Sequence, residues 1–272
     1  VLCVRVNAWD TEWTAYDIIE VVGNAGERLE EIMLPKVQTA AEVVAMDLLL
    51  TQVEKNAGLP IGHIGIEAQI ETAQGLINVN EICAASSRLE TVILGPVDFS
   101  ASMEMPSLSG GLQIPEYPGD YFHYVFMKIL MAGRANGLQV IARLDLAPAW
   151  ARPPDSREET PPQNFDDLGD FVYAFVEHFR GRVQYIQIWN EPNIYPEWGE
   201  QAVDPVAYTR MLQIAYTRAK EADPNVHVLS APLAITLGEP HPEPGKWRSM
   251  PDLDYLSAVS YTHLTLPTIY PV

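Results

Sequence analysis

The chain has 272 residues, 17 basic against 36 acidic side chains, a net charge of −19 and 47% apolar residues, enough for one large domain or two small ones. A balance this acidic argues against nucleic-acid and anionic-membrane partners, which recruit Lys and Arg to their phosphates. The longest apolar runs, such as 44–50, contain or abut charges and fall far short of the roughly 20 apolar residues of a membrane helix, so a soluble, cytoplasmic protein is expected.

The chain opens inside an apolar strand pattern, 1–6, with no basic stretch, apolar run or cleavage site ahead of it. No signal peptide is expected, and the pattern reads as a chain whose beginning is missing. Strands are predicted over 2–6, 31–34, 62–68, 91–94, 138–146, 183–189 and 226–230. Between them lie helical patterns. Thr39 and Glu42 stand at capping-box spacing ahead of Val43, Val44, Met46, Leu48 and Leu49, and Gly58 and Pro60 mark the exit. Asp120 is placed to cap a helix over 122–135 that stops at Gly137. Asp204 and Pro205 suit the N-cap and first helical position ahead of Tyr208, Met211, Leu212 and Ala215, in a helix ending near Asp223 and Pro224. Cys3 and Cys83 sit in apolar contexts without a CxxC partner and read as buried free thiols.

Strands alternating with helix-length segments predict an α/β fold, a TIM (β/α)8-type barrel with about 7–8 parallel strands. A doubly wound open sheet is the alternative, disfavoured because no glycine-rich phosphate loop opens a helix. In a barrel, polar residues at the C-terminal strand ends face the catalytic mouth. Arg5 and Asn7 close the first strand, Glu71 follows the third and Asp98 the fourth. Neighbouring strands lie about 4.8 Å apart, so the two carboxylates can converge on one hard cation, and Mg²⁺ suits one or two carboxylates completed by water and substrate oxygens. Such an ion polarises a carbonyl and stabilises a developing enolate, and Arg5 can add charge-assisted hydrogen bonds to the same oxygens. The alternative is that Glu71 and Asp98 only cap the helices after their strands.

The segments VRVNAWDTEW, EIMLPKV, IGIEAQIETAQGLINVNEICAAS, LETVILGPVDFSASM and MAGRANGLQVI, in this order, closely resemble the citrate lyase β-subunit/malyl-CoA lyase group of the HpcH/HpaI aldolase family. The resemblance covers about 1–141. It implies that Glu71 and Asp98 are Mg²⁺ ligands, that Arg5 contacts the substrate carboxylate, and that Pro35 and Lys36 match the family's LPKV strand end. It further implies cleavage or formation of C–C bonds in 3-hydroxyacyl-CoA thioesters such as malyl-CoA and citramalyl-CoA, through an enolate. The family's two N-terminal strands and its continuation beyond Ile141 are missing, so impaired turnover is expected.

Near residue 141 the text changes. Strand starts lengthen from about 30 to about 45 residues apart, and prolines rise from 6 in 1–141 to 16 in 142–272. Glu191 closes a strand in Trp189-Asn190-Glu191-Pro192, flanked by Trp189, Tyr195 and Trp198 and by Trp150 after the preceding strand; aromatic faces stack on sugar rings and raise a carboxyl pKa. The alternative is a loop glutamate with core aromatics. The motif resembles clan A glycoside hydrolases over about 138–258, which implies Glu191 as general acid/base, Asn190 as a contact to the sugar 2-OH and Trp150 as a sugar-binding aromatic. A retaining enzyme needs a second carboxylate about 5–5.5 Å away, and that residue of the resemblance is absent. The last stretch, 259–272, resembles translated sequencing-adapter read-through.

The expectation is thus a chimeric, incomplete barrel: a lyase-like portion 1–141, a glycosidase-like portion 142–258 and a tail 259–272, arranged as one barrel-like body. Its expected function is Mg²⁺-dependent lysis of acyl-CoA thioesters, with glycan hydrolysis and an inactive barrel as alternatives. Self-association into a homo-oligomer is compatible with either.

Overall fold

The computed structural model describes residues 2–105, 122–139 and 141–261. The chain divides into two compact units, Val1–Val140 and Ile141–Val272.

The first unit runs β1 (Cys3–Arg5), α1 (Thr14–Ala25), β2 (Glu31–Leu34), α2 (Ala40–Ala57), β3 (Gly65–Ile70), α3 (Ala73–Ile77), α4 (Val79–Cys83), β4 (Leu89–Leu94), α5 (Pro96–Ser102) and α6 (His123–Ala135). Its strands pair in parallel in the order β1-β2-β3-β4. Alternation along each strand sends successive side chains to opposite faces. One face, with Ile32, Leu34, Ile66, Ala68 and Ile70, joins Val43, Met46 and Leu50 of α2 in a fully buried core. The other face carries Cys3, Glu31, Glu67 and Gln69, a polar row where a core strand would normally be apolar. The helix α2 begins where its sequence says it should: Glu42 Oε2 accepts the Thr39 N–H at 3.2 Å to complete the capping box. It ends at Gly58, whose φ of 73° suits glycine.

A buried ion cluster ties α2 to the sheet. The Arg88 guanidinium donates to both Glu54 carboxylate oxygens at 2.8 and 2.6 Å, to Asp47 at 2.6 Å and to the Ile64 carbonyl at 3.0 Å. Glu54 accepts two further N–H groups, from Gly62 and Ile64, both at 2.9 Å. One guanidinium serves two carboxylates, and backbone N–H groups satisfy the rest of Glu54, the buried one, which is what makes burying it tolerable.

The second unit runs β5 (Ile141–Leu144), α7 (Phe165–His178), β6 (Tyr185–Ile188), α8 (Pro205–Ala222), β7 (His227–Leu229), β8 (Glu239–Pro240), β9 (Trp247–Ser249) and α9 (Asp252–Tyr261). Strands β5-β6-β7 are parallel, and β8-β9 form a small antiparallel ribbon. Asp204 caps α8 as expected, accepting the N–H groups of Val206 and Ala207 at 3.0 Å with Pro205 in the first turn.

Seven predicted strands coincide with β1–β7, with ends shifted by up to three residues. The β8-β9 ribbon was not predicted, because Glu239-Pro240 has no strand pattern to read. Asp120 lies outside the described residues. The single barrel ladder needs correction: among the described residues the parallel strands form separate sheets of four and three. Residues 259–261 continue α9, and Val259, 4% exposed, packs in the core of the second unit.

Candidate functional site

The first unit brings its candidate residues to one end of the four-stranded sheet. The register pairs Arg5 with Met33, Leu34 with Ala68 and Ile70 with Leu94, so β3 and β4 end level while β2 and β1 stop short of them on the same side of the sheet. Arg5 closes β1, Lys36 lies just beyond β2, Glu71 directly follows β3, and Asp98 sits in the first turn of α5 after β4.

Glu71 is only 4% exposed. Its Oε1 accepts the Lys36 backbone N–H at 2.9 Å, and Lys36 takes a φ of 54°, a costly left-handed conformation for a side-chain-bearing residue. Burial first, then the Asp98 charge, raises the Glu71 carboxyl above its ordinary range, while Lys36 and Arg5 pull it back. Lys36 Nζ stands 3.7 Å from Asp98 Oδ1 in an exposed pair. Arg5, Lys36, Glu71 and Asp98 therefore act on one another in a single electrostatic group. Asn7 is committed elsewhere: its backbone and side-chain N–H groups both donate to Asp17 Oδ2, at 2.9 and 2.8 Å, which ties the β1–α1 loop to α1.

Two carboxylates at adjacent strand ends are the oxygen donors a hard divalent cation takes. Gln69, on the same face as Glu71, holds a buried Oε1 that no donor reaches. A buried carboxylate repelled by its neighbour is a donor set short of positive charge, so Glu71 and Asp98 fit a divalent cation.

Deeper on that face, one ligand atom each from Cys3, Glu31 and Glu67 lies within 4.8 Å of the others, with Cys3 Sγ 3.9 Å from Glu67 Oε2. Burial first, then the charges of Glu67 and Glu90, pushes the Glu31 carboxyl up to about 7. Burial first, then the charges of Glu67 and Glu31, pushes the Cys3 thiol up. Cys3 is a free thiol as expected, but its surroundings are acidic, not apolar. A count by face, setting Cys3 with Glu31 and Glu67 and against Val4 and Ile32, would have found this group.

In the second unit, Asn190 and Glu191 follow β6. Trp189 and Glu191 both take positive φ, 72° and 37°, so the backbone is strained at the motif itself. Asn190 Oδ1 accepts from Arg143 Nη1 at 3.2 Å and its Nδ2 donates to Glu197 Oε2 at 3.1 Å. Burial is the main cause that raises the Glu197 carboxyl; the Asn190 hydrogen bond lowers it and the Glu191 charge raises it. Glu197 was missed from sequence because it lies in an irregular loop without a motif. Asp145 is held by Arg143 at 2.7 Å. The expected aromatic surround is corrected in part. Trp189 and Trp198 are 2% and 1% exposed and meet edge to face at 6.0 Å, filling the core beside Tyr208, while the Tyr195 ring is covered by Arg248 at 3.7 Å. Trp150, at 75% exposure, stays open. Among the described residues no helix is long and apolar enough to cross a membrane.

Known proteins match the first unit. An L-malyl-CoA/beta-methylmalyl-CoA lyase of Cereibacter sphaeroides is 38% identical over 146 residues, 50% of this chain and 46% of that protein. A malyl-CoA/beta-methylmalyl-CoA/citramalyl-CoA lyase of Chloroflexus aurantiacus is 34% identical over 154 residues, 51% of this chain and 44% of its own length. The chain thus spans about half the length of the curated relatives it matches. A citrate lyase beta subunit from Mycobacterium tuberculosis, complexed with oxaloacetate and magnesium, overlays with a TM-score of 0.45 and 19% identity over 80% of this chain and 72% of that one, too loosely to carry an argument. The family model for HpcH/HpaI aldolase/citrate lyase matches residues 1–151, more than half of the chain, and the chain belongs to that family.

Proposed function

We propose that the first unit carries the site of a Mg²⁺-dependent C–C lyase or aldolase acting on acyl-CoA thioesters of the malyl-CoA or citramalyl-CoA type. The observation that carries this reading is the buried Glu71 carboxylate, fixed by the Lys36 N–H and set against Asp98 and Arg5. Glu71 and Asp98 would hold the ion, which when bound supplies Lewis-acid stabilisation of negative charge on a substrate oxygen. Arg5 orients a substrate carboxylate through charge-assisted hydrogen bonds. Lys36 plays two parts, its backbone N–H fixing Glu71 and its ammonium offsetting Asp98. Full-chain protein should bind Mg²⁺ in a calorimeter and cleave malyl-CoA, slowly, with loss in EDTA and recovery on adding Mg²⁺. Glu71→Gln should abolish both binding and cleavage; Mg²⁺ affinity indifferent to that change would defeat the proposal.

A second reading rests on the strained Asn190-Glu191 turn beside Glu197. Here the chain is a fusion joined near residue 141, and 142–258 descends from a retaining glycoside hydrolase with Glu191 as acid/base and Asn190 and Trp150 as sugar contacts. Release of nitrophenol from aryl glycosides, abolished by Glu191→Gln, would support it. No release under any condition tested would leave that unit without this activity.

A further inference from the structure

Gly95 sits between the two carboxylates of the first unit, closing β4 and preceding Pro96 of α5. Its φ of −95° and ψ of 90° lie in a region open to any residue, so the backbone does not demand glycine there. The space does. A Cβ placed on Gly95 would come within 3 Å of Glu71 Oε2, at 2.9 Å from Glu71 Cβ and at 2.8 Å from Gln69 Nε2. The contact with Glu71 Cβ cannot be relieved by swinging the carboxylate, because that atom is fixed by the backbone. The Gly95 N–H, meanwhile, donates to the Ile70 carbonyl at 3.0 Å, which holds the end of β4 against the residue preceding Glu71.

We propose that Gly95 is the positioning residue of the cation site: its missing side chain is the slot in which the Glu71 carboxylate lies. One carboxylate oxygen is pinned by the Lys36 N–H on the β2 side, and the other occupies the slot on the β4 side. The carboxylate is thereby held between two backbones, next to the turn that presents Asp98. A methyl group at Gly95 pushes Glu71 out of the slot and away from the geometry it shares with Asp98. The inference rests on the lyase reading above, and the test separates the two.

The probe is Mn²⁺ alone, titrated into the full chain and followed by the electron-paramagnetic-resonance signal of the free ion. Wild-type protein should bind it, Glu71→Gln should not, and Gly95→Ala should weaken binding about 10–100-fold, the range for groups that orient metal ligands. In the Glu71→Asp background, whose carboxylate is one methylene shorter, Gly95→Ala should cost less than in the wild type, because the tightest overlap, with Oε2, is gone while the Cβ contact remains, and coupled positions are non-additive. Wild-type protein that binds no Mn²⁺ sinks the lyase reading itself. Binding by Gly95→Ala equal to wild type, with Glu71→Gln dead, overturns the role of Gly95 alone. If Gly95→Ala does not fold, Glu71→Gly with Gly95→Ala decides, since no side chain at 71 is left to meet the methyl: recovered folding supports the slot, and failure to recover overturns it.

Discussion

The two units share a plan of parallel strands followed by helices, yet they hold their polar groups in opposite ways. The first buries charge. Arg88, Glu54 and Asp47 lock α2 to the sheet, a second set of acids lies along the other sheet face, and Glu71 is buried at the strand ends. The second unit buries neutral groups. Trp189, Trp198, Tyr208 and Tyr255 form a run of ring contacts through its core. The Tyr208 hydroxyl donates to the Ile188 carbonyl at 3.2 Å and accepts the Ala231 N–H at 2.6 Å. Asn193 bridges three loops in the same neutral fashion, to Ala234 and Met250. The contrast predicts different sensitivities: a lost partner in the first unit strands an ion, and in the second only a dipole.

Matched deletions test that contrast. Arg88→Met leaves Glu54 buried with two N–H partners and no cation, and breaking a buried pair costs about 3–5 kcal/mol. Tyr208→Phe leaves one carbonyl and one N–H without a partner, at about 1–3 kcal/mol. Hydrogen exchange, read on the amides of α2 and β3 for the first variant and on α8 and β6 for the second, gives the two losses locally. Equal losses would break the comparison. The Arg88→Met deficit should also shrink on acidification, as Glu54 takes up a proton and its stranded charge disappears.

How much of this could be read from the sequence depends on whether the cause is local. The capping box at Thr39 and Glu42, the Asp204-Pro205 helix start and the strands β1–β7 are local, and each was legible. So was the grouping of Arg5, Glu71 and Asp98, because residues just beyond parallel strands share one end of a sheet; Lys36 joined them only through the family resemblance. Pairing between distant strands is not local, which is why one ladder was expected where two sheets form. Trp189 and Trp198 illustrate the same limit: their positions in a motif suggested a sugar platform, whereas the volume beside α8 draws them into the core. Gly95 was overlooked because its meaning lies in the space left to Glu71, a residue on a different strand.

The smallest expected effect is the one that most sharpens the comparison. Glu31 is pushed up to about 7, chiefly by burial and then by Glu67 and Glu90, so between its unfolded value and about pH 7 the folded chain holds a proton that the unfolded chain has released. In that window the unfolded state binds fewer protons, and stability must fall as pH rises. Glu31→Gln keeps the shape and removes the titration, so its urea midpoint should change less between pH 5 and pH 8 than that of the wild type. Some slope should survive from Glu67, whose carboxyl is also raised by burial. Exchange of α8 amides should change less, because the polar groups packed against α8 are hydroxyl and ring groups, while the raised carboxyl of Glu197 lies in the loop after β6. A wild-type slope identical to that of Glu31→Gln would mean that the acidic face of the first unit is hydrated enough to titrate normally. In that case the charge-burying character of the first unit would reduce to the Arg88 cluster.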